Sequence, residues 1–160
     1  MEYSIDFGDR LIEAADSFVS QANQSNESAR AILYLSLLSS EICLKALLER
    51  AGFSVRELTN RSHDLSGLAK DICSCELIGT GIGNSKSFSA SRLKAQVVVP
   101  NTINGTVGTY LNAENLGASK YPSEIRYGEL VKHFPPIEML SCAKVISKWA
   151  KENIGRIKRK

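Results

Sequence analysis

Apolar residues recur at helical spacing in several stretches of this chain. The pattern predicts α-helices over 9–23, over 28–50 and from about 63 to 76, and a last helix that starts at Pro135 and Pro136. In the second stretch the apolar residues cover more than one face, which is typical of a helix that lies centrally between others. Ser25 or Asn26 is expected to cap that helix, and Gly52 to end it.

Residues 79–103 interrupt the helical pattern. They include a β-prone run, Gln96–Pro100, for which the sequence offers no obvious partner strand. A weaker helix is expected over about 104–116. We therefore predict an all-α fold in a single domain of 160 residues: an up-and-down bundle of four to five helices, with a long irregular insertion between the third and the fourth.

Composition supports an ordinary globular domain. Hydrophobic residues make up 43% and charged residues 23% of the chain, which excludes a disordered or fibrous protein. The net charge is +3, and the basic excess lies in 151–160, where five basic residues accompany one acidic residue. We expect this basic tail to be a solvated helix end or a frayed terminus.

The cysteines, the start of the chain and the glycine-rich segment exclude several classes of site. Cys43, Cys73, Cys75 and Cys142 lack the spacing of zinc ligands, so neither a metal nor a cofactor is expected, and Cys43 and Cys142 are predicted to be core residues. The segment 79–87 lacks a glycine directly before Lys86 and lacks a surrounding βαβ unit, so it is not a phosphate-binding P-loop.

The first residues contain no apolar signal region, and no stretch is expected to be long enough to span a membrane. We therefore expect a cytoplasmic protein without membrane contact.

Three stretches carry a family resemblance. They are SSEICLKALL at 39–48, HDLSGL at 63–68 and KYPSEIRY at 120–127. In this order they resemble the HEPN domains, small helical modules of prokaryotes and eukaryotes, over about residues 9–154. The resemblance implies a helical bundle, often a homodimer, that binds nucleotides or RNA, associates with a nucleotidyltransferase, or cleaves RNA without a metal in toxin–antitoxin or defence systems.

The same resemblance implies a polar groove. Glu41 and Lys45 form an i,i+4 pair in an otherwise apolar helix, either on one exposed stripe or buried and satisfied by other groups. On the family pattern this pair faces the histidine and the third stretch. The nucleotide- or RNA-binding residues are then Glu41, Lys45, His63, Asp64, Tyr121, Arg126 and Tyr127. As alternatives, Asp64 with His63 forms a helix start, and the tyrosines simply pack.

On the family pattern, the ribonuclease branch carries an arginine and a histidine with four to six residues between them. Arg126 precedes His133, and Arg56 precedes His63, each with six residues between, so each pair shares a face if its segment is helical. Tyr127 and Glu57 follow the arginines, where the ribonuclease motif has Asn, Asp or His. We therefore favour a non-catalytic binding module. The alternatives are a metal-independent endoribonuclease that uses Arg126 with His133 or His63, and a helical scaffold whose last helix and basic tail bind a partner protein.

Overall fold

A computed structural model describes residues 1–79, 87–112, 121–127 and 135–160, without the side chains of Glu124 and Tyr127. This part of the chain is mostly helical and carries a small sheet. The helices are α1 (Ile5–Asp16), α2 (Asn26–Ala51), α3 (Val55–Asn60), α4 (Leu65–Ser74), α5 (Val107–Leu111), α6 (Tyr121–Tyr127) and α7 (Pro136–Asn153). The strands are β1 (Cys75–Ile78), β2 (Ser87–Ser89) and β3 (Ile157–Arg159).

Helix α2 is the spine of the fold. The hydroxyl of Ser25 accepts a hydrogen bond from the amide of Ser28 at the start of α2, and Gly52 ends the helix with a left-handed backbone at φ 108°. Helices α1 and α7 pack along α2, and α4 and α6 contact it as well. Five of its seven leucines, among them Leu37 and Leu44, are fully buried. The predicted central position of this helix is confirmed.

The expectation that no stretch is long enough for a membrane span is wrong for α2. This helix has 26 residues and a most apolar window with a mean hydropathy of 1.7, which satisfies the length and composition of a span. Of that window, 78% is buried inside the protein. This burial fits the core helix of a globular bundle, which passes the same test of composition.

The all-α prediction holds only roughly, because the described residues contain seven α-helices instead of four to five, together with a three-stranded antiparallel sheet of order β2-β1-β3. Leu77 lies opposite Ile157, and both side chains are buried, so this pair ties the sheet to the helical core. On the other face Glu76 lies opposite Lys158. The basic tail is therefore the end of α7 followed by a paired strand, and not a frayed terminus.

Several boundaries also differ from the predictions. Helix α1 begins earlier than predicted and ends at Asp16, before a short 3-10 helix at Val19–Gln21. The weak helix expected over 104–116 is limited to α5 in the described residues. The β-prone run does find a partner, because Val97 forms an isolated antiparallel bridge with Thr106. The polar connection at 53–62 contains α3, which begins with a capping box between Ser54 and Glu57.

Candidate polar site around Glu41

A polar stripe runs along one side of α2. Arg30, Tyr34, Glu41 and Lys45 follow one another at intervals of four, seven and four residues, and this spacing places them on one helical face. Helix α6 lies against this side of α2, since Arg30, Tyr34 and Glu41 each bond to a residue of α6. The stripe therefore positions the candidate site at the junction of α2 and α6.

The carboxylate of Glu41 is the centre of the site. Its Oε1 accepts from Lys45 Nζ at 2.7 Å, and its Oε2 lies 2.6 Å from the hydroxyl of Tyr121 and 2.9 Å from Nδ1 of His63. Glu41 and Lys45 are each only 5% exposed. A buried carboxylate is strongly destabilising unless it is paired and hydrogen-bonded, and here it has three partners. We call Glu41, Lys45, His63 and Tyr121 the Glu41 cluster.

Lys45 acts as a buried counterion within this cluster. Its ammonium group lies 2.7 Å from Glu41 and 5.4 Å from the centre of the Tyr3 ring. Both contacts offset the cost of burying the ammonium group. Of the two alternatives for the Glu41–Lys45 pair, the structure therefore has the buried pair that other groups satisfy.

His63 connects the cluster to solvent. It lies in the turn between α3 and α4, and its side chain retains 43% of its exposure although Nδ1 contacts the buried carboxylate. The next residue, Asp64, is the N-cap of α4 and accepts from the amide of Gly67 at 2.8 Å. This cap fixes the chain directly after the histidine. Glu41 and Asp64 thus determine the position of one half-exposed imidazole.

Tyr121 links α6 to the cluster and is fully buried. Burial, followed by the negative charge of Glu41 and the hydrogen bond to it, raises the pKa of the Tyr121 hydroxyl. The raised pKa keeps the hydroxyl protonated near neutral pH, where it donates to Glu41. Its ring also contacts His63 edge to face at a centroid separation of 5.5 Å.

A row of rings continues from this cluster to the surface. Tyr34 packs against Tyr121 at a centroid separation of 6.1 Å. The guanidinium of Arg126 lies 5.8 Å from the centre of the Tyr34 ring, and Arg126 Nη2 donates to the Tyr34 hydroxyl at 3.0 Å. Each side chain thus contacts the next in the spatial order His63, Tyr121, Tyr34, Arg126. We call these four residues the aromatic row.

Arg30 holds the end of α6 in place. Its Nε donates to the carbonyl of Ile125 at 2.9 Å, and its Nη2 donates to the carbonyls of Ile125 and Arg126. These bonds satisfy carbonyl groups near the end of a seven-residue helix. Beside them is a pocket of about 330 Å³, which we call the α2–α6 pocket. It is lined by Glu27, Arg30, Ala31, Tyr34, Ile125 and Arg126.

The structure brings together many of the predicted binding residues. Glu41, Lys45, His63 and Tyr121 form one cluster, and Arg126 belongs to the adjoining row. Asp64 serves as a helix cap next to them. The Tyr127 side chain lies outside the described residues, and whether any of these residues bind a nucleotide or RNA stays a prediction.

The structure tests only one of the two arginine–histidine pairs that were predicted as catalytic candidates. His133 lies outside the described residues, so the pairing of Arg126 with His133 stays a prediction. Arg56 is exposed on α3, and α3 ends at Asn60, three residues before His63. The condition that one helix carries Arg56 and His63 on the same face is therefore not met.

Sequence reasoning missed Arg30 and Tyr34. The signal that could have revealed them is the spacing of the polar stripe, since 30, 34, 41 and 45 share a face of a helix that was already predicted. Their partners in α6 lie more than 85 residues away in the chain, as in the Arg126–Tyr34 bond, where the separation is 92. Local patterns do not report a contact at that separation.

The thiols of the two core cysteines, Cys43 and Cys142, are unreactive. Burial raises the pKa of Cys43 to about 11 and also raises that of Cys142. Both residues are buried, as predicted from the helical pattern, and both thiols stay protonated near neutral pH. Within the described ranges, no group of three or more His, Cys, Asp or Glu side chains is placed to hold a metal ion.

Comparisons of the chain with protein-family models, with curated proteins and with solved structures give no match. The site itself characterises the protein as a helical domain in which a buried carboxylate orients a half-exposed imidazole beside tyrosine and arginine side chains.

Proposed function

We propose that this protein is a non-catalytic, HEPN-like module that binds a nucleotide or single-stranded RNA at the exposed side of the aromatic row. The observation that carries the proposal is the 2.9 Å contact between the buried Glu41 carboxylate and Nδ1 of the half-exposed His63. A buried carboxylate whose bonds extend to a surface imidazole holds that ring in one orientation. Such preorganisation lowers the entropy lost when a ligand binds.

The neighbours of His63 favour a ligand with phosphates and rings. Arg126 is exposed and carries a guanidinium, which matches the geometry of a phosphate. Tyr34 is partly buried and offers an aromatic surface, and bases of single-stranded RNA stack on such side chains. Glu41 is buried beneath them and neutralised by Lys45, so its charge repels an anionic ligand only weakly.

The test is a titration of the purified protein with fluorescein-labelled single-stranded RNA and with nucleoside monophosphates. Fluorescence anisotropy and isothermal titration are measured at fixed salt, because phosphate contacts make affinity salt-dependent. We expect His63→Ala and Arg126→Ala each to weaken binding about tenfold, which corresponds to the loss of one charge-assisted or stacking contact.

The matched control is Arg10→Ala. Arg10 is an exposed arginine on α1 that pairs with Glu13 at 2.7 Å, away from the site. This variant loses the same charge as Arg126→Ala, and its affinity should equal that of the wild type. Flat titrations of the wild type with all ligands, or an unchanged wild-type affinity in both the His63→Ala and the Arg126→Ala variants, would exclude the proposal.

The second candidate is a metal-independent endoribonuclease, and the same Glu41–His63 contact favours it. If Nδ1 donates to Glu41, Nε2 is the ring atom that can accept a proton from a ribose 2′-hydroxyl. The 2′-oxygen then attacks phosphorus, the bond to the 5′-oxygen breaks, and that oxygen takes a proton from an acid. The products are a 2′,3′-cyclic phosphate and a 5′-hydroxyl.

Incubation of structured RNA with the protein in EDTA separates the two functions. Cleavage that ends in 2′,3′-cyclic phosphates and is lost in His63→Ala and Arg126→Ala would support the enzyme. Inclusion of His133→Ala decides which histidine takes part. RNA that is bound but stays intact supports the binding module. Since the resemblance also implies a homodimer and a nucleotidyltransferase partner, sedimentation is run in parallel, and a mass near 17.5 kDa would contradict the dimer.

A further inference from the structure

The α2–α6 pocket has a chemical character that differs from the exposed row beside it. It measures about 330 Å³, which is at the lower end of the range for small-ligand sites. Ala31 and Ile125 give it apolar walls, and Tyr34 gives it an aromatic wall. A flat heterocycle is the kind of ligand that such walls accommodate.

The polar groups of the pocket are a carboxylate and two guanidinium groups. Glu27 supplies the carboxylate from the first turn of α2, where Ser25 donates to its Oε2 at 3.1 Å. Arg30 and Arg126 supply the guanidinium groups, and the bonds of Arg30 to the end of α6 hold its side chain in a fixed position. The pocket thus presents both a carboxylate acceptor and two positively charged groups to the same ligand.

We propose that the α2–α6 pocket is a base-binding site that prefers guanine, and this assignment rests on the proposed nucleotide or RNA binding. Guanine carries two donors, N1–H and the 2-amino group, on one edge, and two acceptors, O6 and N7, on another. A carboxylate matches the donor edge and a guanidinium matches the acceptors. Adenine has a single exocyclic donor group, and the pyrimidine bases lack the paired O6 and N7 acceptors.

The position of the pocket fits the rest of the site. Tyr34 and Arg126 belong both to the pocket and to the aromatic row that leads to His63. When a base occupies the pocket, its ribose and phosphate therefore lie along the aromatic row. Guanine preference at one nucleotide, with little preference at its neighbours, is the specificity that this arrangement predicts.

The experiment compares GMP, AMP, CMP and UMP by isothermal titration at one salt concentration, with the wild type and two variants. We expect GMP to bind at least tenfold more tightly than the other three. Ala31→Leu fills the pocket and should weaken GMP binding about tenfold or more, with a smaller effect on longer RNA that also contacts the row. Glu27→Gln should bring the GMP and AMP affinities to within about threefold of each other.

Matched controls lie on α1. Ala14→Leu adds the same volume at an exposed helical position, and Glu13→Gln removes the same charge from an exposed residue. Both should leave GMP binding unchanged. Circular dichroism of all four variants confirms that the helical fold is retained.

The outcomes distinguish this inference from the proposed function. If the wild type binds RNA or nucleotides but Ala31→Leu and Glu27→Gln change neither the affinity nor the preference, the pocket assignment is overturned while the proposed function stands. Equal affinities for the four monophosphates overturn it in the same way. If the wild type binds none of the ligands, both proposals fail.

Discussion

The hydroxyl of Tyr121 lies 2.6 Å from the carboxylate of Glu41, although the two residues are 80 positions apart in the chain. Because Glu41 also bonds to Lys45 and His63, three separate segments meet at one buried carboxylate. The bond positions α6, and with it Arg126, relative to His63. Stability and the arrangement of the candidate site therefore depend on the same group.

Replacing Glu41 tests this dependence. Glu41→Leu leaves the buried ammonium of Lys45 without its carboxylate and should lower the free energy of unfolding by about 3–5 kcal/mol in urea denaturation. The double variant Glu41→Leu/Lys45→Met removes both charges and should recover part of that loss, because the buried Tyr121 hydroxyl still lacks its acceptor. A double variant that is as unstable as the single one would contradict the role of Lys45 as a buried counterion.

Removing the Tyr121 hydroxyl should loosen α6. Tyr121→Phe deletes one of the three donors to a buried carboxylate and should cost about 1–3 kcal/mol of stability. Hydrogen exchange of residues 121–127 should speed up more than exchange in α2. The control is Tyr110→Phe, which removes a hydroxyl that donates to Glu138 and should leave exchange in α6 unchanged.

The Glu57 carboxylate predicts a specific dependence of stability on pH. Its pKa is lowered from 4.5 to about 2 by bonds from the backbone amide and the hydroxyl of Ser54 and by the guanidinium of Arg159. Because the folded-state pKa is the lower one, the stabilisation is present above about pH 4.5 and is lost as the pH falls through 2.

Melting temperatures of the wild type and Glu57→Gln between pH 7 and pH 2 check this expectation. Glutamine can still accept from Ser54 but carries no charge, so the wild type should be the more stable protein at pH 7. The gap between the two proteins should narrow between pH 4.5 and pH 2. A gap that stays constant over this range would show that the charge of Glu57 contributes nothing.

Gly67 offers a test of the cap that follows His63. A Cβ atom at this position would come within 2.1 Å of Asp64 Oδ2, so Gly67→Ala must displace the capping carboxylate. Alanine in a helix is otherwise more favourable than glycine by about 1 kcal/mol. In an Asp64→Ala background, Gly67→Ala should therefore stabilise the protein by about that amount, while in the wild type the gain should be absent or reversed. Equal effects in both backgrounds, measured by urea denaturation, would show that the cap and Gly67 are independent.

The sequence predicted the helical spine well because its signals are local. Ser25 and Gly52 are the cap residues of α2, and the apolar pattern between them reports burial directly. The Glu41–Lys45 pair is equally local, since it follows the i,i+4 geometry of one helix. Each of these features is contained within a single turn or a single helix.

The sheet and the α6 contacts could not be predicted in the same way. Strand β2 is three exposed residues, and β3 is a short run within a basic stretch, so neither shows the alternation of apolar and polar residues that identifies a strand. The predicted third helix extends to about Glu76 and so includes Cys75, but these two residues pair with Lys158 and Arg159 in β3. Only tertiary pairing distinguishes the two structures for such short segments.

The bonds around Glu41 also bear on how this molecule can change over evolutionary time. Three donors converge on one carboxylate. Replacing the glutamate by an apolar residue therefore leaves the lysine and the tyrosine without their acceptor, unless both are replaced as well. We therefore expect homologues of this protein to retain Glu41, Lys45 and Tyr121 together or to lose all three. An alignment in which position 41 varies freely while 45 and 121 stay fixed would be incompatible with a shared carboxylate.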